Sequence, residues 1–267
     1  MVLECVVNVS EGRDLDAIAA LTATAGRDLL DLHTDPHHHR SVLTLLGEDA
    51  VCRVAREAIV RLDLSTHRGA HPRLGVVDVV PFVPLDGSTM ADALAARDAF
   101  ARWMADEHSV PCFLYGPERS LVELRRDAFR ELQPDRGPSV PHPTAGAACV
   151  GARPVLVAFN VWLAGPAVDE ARAVAAMIRR PELRALGLEV GDGVQVSMNL
   201  VEPELLGPAA AFDLVAQQIG GRERIERAEL VGLVPEAVLR AIDPDRWPEL
   251  GLSRDRTIEA RVGALGS

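Results

Sequence analysis

The sequence predicts a mixed α/β (α+β) protein of two subdomains, each a mixed β-sheet layered with helices. Two observations carry this. Short strand patterns rich in valine and leucine alternate with amphipathic helical patterns in both halves of the 267-residue chain. Between the halves the pattern breaks over residues 134–146, and the subdomains are placed at 1–150 and 151–267.

The elements follow in order. Residues 3–9 form an apolar run with three valines and read as a buried strand. A turn at Asn8-Val9-Ser10-Glu11-Gly12 leads into a helix over 14–23. Residues 28–33 and 41–46 read as two strands joined by the loop Thr34-Asp35-Pro36-His37-His38-His39, and a helix follows over 48–62. A histidine- and arginine-bearing segment comes next, then a strand at 76–83 and a long amphipathic helix at 89–107. Residues 111–115 predict a short strand and 120–132 a helix. The stretch 134–146 holds four prolines and two glycines, a composition no helix interior or central strand survives. It reads either as an interdomain linker or as an ordered binding loop. Beyond it the pattern predicts strands at 154–163, 194–201 and 226–233, with helices at 168–180, 205–219 and 235–242.

With 48% hydrophobic and 25% charged residues, the chain has the composition of a globular protein that buries a core. A net charge of −11 disfavours a nucleic-acid partner. Lysine is absent, so all 28 basic groups are arginine, as GC-rich coding would give. Cys5, Cys52, Cys112 and Cys149 lie far apart in apolar settings, which predicts reduced thiols in a cytoplasmic protein. No signal-peptide pattern and no apolar run of about 18 residues is present, so no membrane association is expected.

The segment Thr66-His67-Arg68-Gly69-Ala70-His71-Pro72-Arg73-Leu74-Gly75 is the richest in chemistry. Imidazole exchanges protons near neutral pH, and arginine grips carboxylates with paired hydrogen bonds. The juxtaposition suggests an enzyme acting on an acidic small molecule. His67 and His71 are four apart, a spacing that suits a metal on a helix, but Gly69 and Pro72 break such a helix and Arg68 repels a dication. No metal is expected. His37 and His38 read as polar loop residues. From spacing alone His71 is as well explained by structure as by catalysis. Asp78, inside an apolar strand, either orients an imidazole, anchors an arginine or faces solvent. Gln195, Ser197 and Asn199 share one strand face, which is either a solvated surface or a hydrogen-bonding face suited to a polar heterocycle.

The ordered set Glu4-Cys5-Val6-Val7-Asn8-Val9-Ser10-Glu11-Gly12-Arg13, His39-Arg40-Ser41-Val42, His67 to Gly75, Gly137-Pro138-Ser139, Gly151-Ala152-Arg153 and Gln195-Val196-Ser197-Met198-Asn199-Leu200 resembles the glutamate formimidoyltransferase (formiminotransferase) family in its stand-alone bacterial form. The resemblance implies transfer of the formimino group from N-formimino-L-glutamate to N5 of tetrahydrofolate, a co-substrate. It implies two α/β subdomains whose sheets face each other across a substrate channel, in a homodimer. It singles out His71 as the general acid/base. It assigns folate binding to Gly137, Pro138, Ser139, Val140, Pro141, His142, Pro143, Thr144, Ala145 and Gly146. Arg40, Arg73, His39 and Asn199 are the candidate substrate-binding residues, the arginines as carboxylate clamps. The chain departs from the animal pattern in carrying Ala70 for glutamate, His39 for asparagine, and Val140-Pro141-His142-Pro143-Thr144 for a stretch with tryptophan. Those departures leave two other readings: a folate-binding module with weakened catalysis, and a transferase for another amidine or acyl donor.

Overall fold

The computed structural model describes residues 2–69, 72–165 and 167–265. The chain divides into two compact units, Met1–Pro154 and Val155–Ser267. Both are mixed layers of sheet and helix, with sheets of six and four strands.

The first unit contains β1 (Leu3–Val9), α1 (Leu15–Ala25), β2 (Leu29–Asp35), β3 (Arg40–Leu46), α2 (Glu48–Arg61), β4 (Val77–Pro84), α3 (Met90–His108), β5 (Cys112–Tyr115), α4 (Leu121–Asp127) and β6 (Ala148–Ala152). Its strand order is β2-β3-β1-β4-β6-β5. The β2, β3, β1 and β4 neighbours pair antiparallel, whereas β6 runs parallel to both β4 and β5. Helices α1, α2 and α3 pack into the main core, which buries Val7, Leu43, Val54, Phe82, Phe100 and Met104. The helix starts are written in the sequence. Asp14 caps α1 by accepting from the amides of Asp16 and Ala17, and Thr89–Asp92 and Ser120–Glu123 are capping boxes for α3 and α4. A smaller cluster joins α4 to the sheet through Val79, Phe113, Leu124 and Cys149.

Where β1 meets β4, Asn8 pairs with Val79 but Val9 pairs with Val77, so the register passes over Asp78. Such a bulge re-aims a side chain. It puts the Asp78 carboxylate where two arginines from other elements reach it.

The second unit contains β7 (Val157–Leu163), α5 (Val168–Ile178), β8 (Leu183–Val190), β9 (Gly193–Leu200), α6 (Pro208–Ile219), β10 (Ile225–Val231), α7 (Glu236–Arg240) and α8 (Ile258–Ala264). Its sheet, in the order β10-β7-β9-β8, is antiparallel throughout. Phe159, Val161, Val196 and Met198 alternate into a core with Val174 and Ile178 of α5 and Phe212 and Val215 of α6.

Several expectations change. The stretch 134–146 is not the joint between the two units, because the division falls after Pro154. It is a loop of the first unit that feeds β6, a strand the pattern missed. The helix expected over 120–132 stops at Asp127. The amide of Phe129 then donates to the Leu132 carbonyl, with Phe129 in the left-handed region (φ 59°). Strand β8 and helix α8 also had no counterpart in the reading. No helix among the described residues is long and apolar enough to cross a membrane. All four cysteines are free, and burial pushes the Cys52 thiol up to about 11 and that of Cys112 to about 12. Thiols so shifted are poor nucleophiles at neutral pH.

Candidate active site

The polar groups of the first unit converge where the β2–β3 turn, the β1–α1 loop and the segment 64–76 meet. Asp78 is its buried anchor, with a fully buried side chain. One carboxylate oxygen accepts from the Leu74 amide (2.8 Å); the other accepts from Arg40 Nη1 (2.7 Å) and Arg125 Nη2 (2.5 Å). Burial disfavours the charged carboxylate, but the two guanidinium charges prevail and hold its pKa below the ordinary range. Arg125 also donates to the Pro72 carbonyl, and Arg40 donates through Nε to Asn8 Oδ1 (3.1 Å). Asp78 thus anchors both arginines and ties down the chain immediately after His71.

Glu11 organises the second layer. Its Oε1 accepts from the amides of Gly12 (2.8 Å), Arg13 (2.7 Å) and Asp14 (3.0 Å), just before α1. The same oxygen lies 3.2 Å from His39 Nε2. His39 ends the β2–β3 turn with φ 52°, a conformation uncommon outside glycine. Asp35 shapes that turn by accepting from the His37 and His38 amides and from His38 Nδ1. Burial works against its charge, but those hydrogen bonds keep its pKa well below the usual carboxylate range.

His67 packs on His39 with ring centroids 4.1 Å apart and planes tilted by 54°. His67 is 7% exposed, and its Nε2 lies 3.0 Å from the His39 carbonyl oxygen. Gly69 makes this approach possible: a Cβ there would lie 2.7 Å from the His38 carbonyl oxygen and 2.8 Å from the His39 Cβ. Arg73 binds the same segment from the other side, donating to the carbonyls of Gly69 (3.0 Å) and His67 (3.4 Å). Burial lowers the pKa of both imidazoles. Glu11 opposes the shift, and the nearby charge of Arg73 adds to it for each ring. The net direction for both rings favours the neutral form.

The loop Gly137–Gly146 reaches this region through backbone hydrogen bonds. Leu64 donates to the Thr144 carbonyl (2.7 Å), Val76 to Ala145 (3.0 Å), and Ala147 to Leu74 (2.9 Å). Gly146 has φ 72°, and a Cβ on it would run into the Leu74 carbonyl. The loop also ties itself: His142 and Gly146 exchange backbone hydrogen bonds, and His142 Nδ1 accepts from the Ala145 amide (3.0 Å). Residues 137–141 and Pro143 are exposed, while Ala145 and Gly146 are buried.

The structure thus brings together His39, Arg40, Arg73 and the end of the 137–146 loop. Arg40 is largely consumed by Asn8 and Asp78. His71 and Ala70 lie outside the described residues, between Gly69 and Pro72. Asn199 belongs to the second unit, where it is exposed on β9 opposite Ala158 and Arg184. Gln195, on the same strand face, is buried rather than solvated. Sequence reasoning gave no role to Glu11 or Arg125. Glu11 carries a local signal, an acid just before a helix start; Arg125 carries none. Among the described residues, no group of three or more His, Cys, Asp or Glu side chains is placed to hold a metal.

Residues 2–153 match the formiminotransferase domain, N-terminal subdomain. The chain is 35% identical to a glutamate formimidoyltransferase of Streptococcus pyogenes serotype M1, covering 89% of this chain and 90% of that protein. It is 34% identical to a glutamate formimidoyltransferase of Thermoplasma acidophilum, covering 89% of each. It is also 34% identical to the formimidoyltransferase-cyclodeaminase of Sus scrofa, across 87% of this chain but 50% of that longer protein.

Proposed function

This chain belongs to the formiminotransferase family, and on that premise we propose that it transfers the formimino group of N-formimino-L-glutamate to N5 of tetrahydrofolate, releasing L-glutamate. The observation that carries this reading is its near full-length similarity to stand-alone glutamate formimidoyltransferases. Tetrahydrofolate supplies the accepting secondary amine.

We assign His71 as the residue that takes the proton from the attacking amine and returns one to the departing glutamate nitrogen. A single imidazole does both because its pKa lies near working pH. The loop Gly137–Gly146 is assigned to the folate: its buried end is pinned to Leu64 and Val76, and it offers polar groups at exposed Ser139 and half-buried His142. His142 Nδ1 accepts backbone N–H groups, so its Nε2 carries the proton and is a donor. Arg73, Arg40, His39 and Asn199 are assigned to the substrates. Holding the two reactants in contact supplies much of the remaining acceleration. The reading extends to a cytoplasmic homodimer acting without a metal.

The test is direct. Pure protein mixed with N-formimino-L-glutamate and tetrahydrofolate is expected to release glutamate. His71→Ala or His71→Asn is expected to slow release roughly 10²–10⁴-fold. Folate binding without release would select the weakened binding module, favoured by Ala70 and His39. Turnover that releases no glutamate would select another donor.

A further inference from the structure

The tautomers of His39 and His67 follow from their partners. His39 Nε2 faces the Glu11 carboxylate, which only accepts, and His67 Nε2 faces the His39 carbonyl, which also only accepts. Both Nε2 atoms therefore carry the proton, and both Nδ1 atoms present a lone pair. Both Nδ1 atoms are buried and, among the described residues, have no hydrogen-bond partner. A buried acceptor without a donor costs about 1–3 kcal/mol, so two on stacked rings call for something to satisfy them. The rings are held from outside as well, by the three amides on Glu11 and by the close pass of Gly69.

We propose that the paired Nδ1 atoms of His39 and His67 form the subsite that receives the amidine N–H groups of the formimino donor. The inference rests on the transferase reading above and names the residues that recognise the transferred group. Two lone pairs reject a carboxylate, because acceptor would face acceptor. They also fit a pterin edge poorly, because that edge alternates donors with acceptors. The nitrogen end of a protonated amidine, an amidinium, presents donors only. The carboxylate–imidazole contact at Glu11 strengthens His39 Nδ1 as an acceptor, as carboxylates do behind metal-binding histidines. Of the charged groups facing the pair, Arg73 on both rings and Arg13 on His39 act with burial toward the neutral form, which has lone pairs to offer, and Glu11 acts against it.

The experiment uses the intact protein and two probes, N-formimino-L-glutamate and glutarate. Imidazole ¹⁵N spectra, assigned with His39→Asn and His67→Asn, are expected to show both rings as the Nε2–H tautomer. N-formimino-L-glutamate should move both Nδ1 resonances, and glutarate, a dicarboxylate with no nitrogen donor, should leave them in place. In steady-state kinetics, His39→Phe and His67→Phe should raise KM for N-formimino-L-glutamate roughly 10–100-fold, the effect of losing a hydrogen bond to a charged group. KM for tetrahydrofolate and inhibition by glutarate should change less than about twofold. Equal Nδ1 shifts with both probes, or a change confined to KM for tetrahydrofolate, overturns the subsite. Because the spectra need no turnover, Nδ1 shifts without glutamate release would fail the transferase reading and leave the subsite standing. Release without shifts would do the reverse.

Discussion

Arg125 of α4 places Nη2 2.5 Å from a carboxylate oxygen of Asp78, a residue 47 positions earlier that is wholly buried at a bulge in β4. The contact links the smaller, α4-side cluster of the first unit to the segment carrying His67 and Arg73. Arg125 also holds the Pro72 carbonyl, and Asp78 holds the Leu74 amide.

Asp78→Asn is therefore expected to destabilise the protein far more than a surface substitution. It removes the one carboxylate that Arg40 and Arg125 share and leaves a buried guanidinium without its counter-charge. Breaking a buried ion pair from one side costs about 3–5 kcal/mol. Urea denaturation should show a lower midpoint with an unchanged slope. A shift under 1 kcal/mol would mean that the pair contributes little.

Gly69→Ala tests the close pass of the 67–69 segment over the β2–β3 turn. The new methyl would meet a backbone carbonyl and the Cβ of His39, neither at the end of a flexible side chain. Overpacking of this kind costs about 1–3 kcal/mol. The His39–His67 stacking should loosen, and activity should fall by more than the stability loss explains. Full activity with unchanged thermal stability would contradict the geometry.

Much of this fold is legible in the sequence, for identifiable reasons. Strand β1 is an apolar run, helix α2 has a strong period, and Thr89 and Asp92 write a capping box that starts α3. Strand β6 is not legible. It is a central strand buried on both faces, built from Ala148-Cys149-Val150-Gly151-Ala152, so no alternation marks it; Gly151 is small because it lies against the Tyr115 ring. The loop 134–146 has the composition of a linker because the pins of its buried end are backbone hydrogen bonds to residues 64 and 76, which leave no trace in side-chain identity, while its Asp135 pin to the Leu114 amide and Arg119 depends on distant pairings. In the site, the sequence points to the histidines and arginines but not to their division of labour. That Arg40 serves Asp78 and Asn8 depends on pairings 38 and 32 residues apart.

The pH dependence of stability should separate two sets of groups. His39, His67 and His108 all have pKa values lowered first by burial. The folded state thus binds fewer protons than the unfolded chain once pH falls below about 6.5, the ordinary imidazole value. Stability is expected to rise with pH up to that point and to fall as pH drops from about 6.5 toward the lowered values. Asp35 and Asp78 have lowered carboxylate pKa values, so their contribution is present above about 4 and is lost only below it. Thermal melts from pH 7.5 to 3 should therefore show two declines. Replacing His108 with Phe should shallow only the first; a first decline unchanged by that substitution would remove His108 from it.

Arg40 and Arg73 should part company when each is replaced by alanine. Arg40 is 13% exposed and gives Nε to Asn8 and Nη1 to Asp78, so Arg40→Ala should lose about 3–5 kcal/mol of stability together with activity. Arg40→Lys should not restore it, because an ammonium is a point charge and cannot serve two partners in the plane of a fork. Arg73 is half-buried and its guanidinium bonds two carbonyls of the His67–Gly69 segment, each bond contributing about 0.5–1.5 kcal/mol. Arg73→Ala should thus cost modest stability. If its charge also holds a substrate carboxylate, KM for N-formimino-L-glutamate should rise roughly 10–100-fold. Thermal melts and KM measured on the same preparations decide the assignment. An Arg40→Ala protein that melts like the wild type would free Arg40 from its structural role and return it to the substrate. An Arg73→Ala protein with unchanged KM would leave Arg73 as a brace for the histidine segment alone.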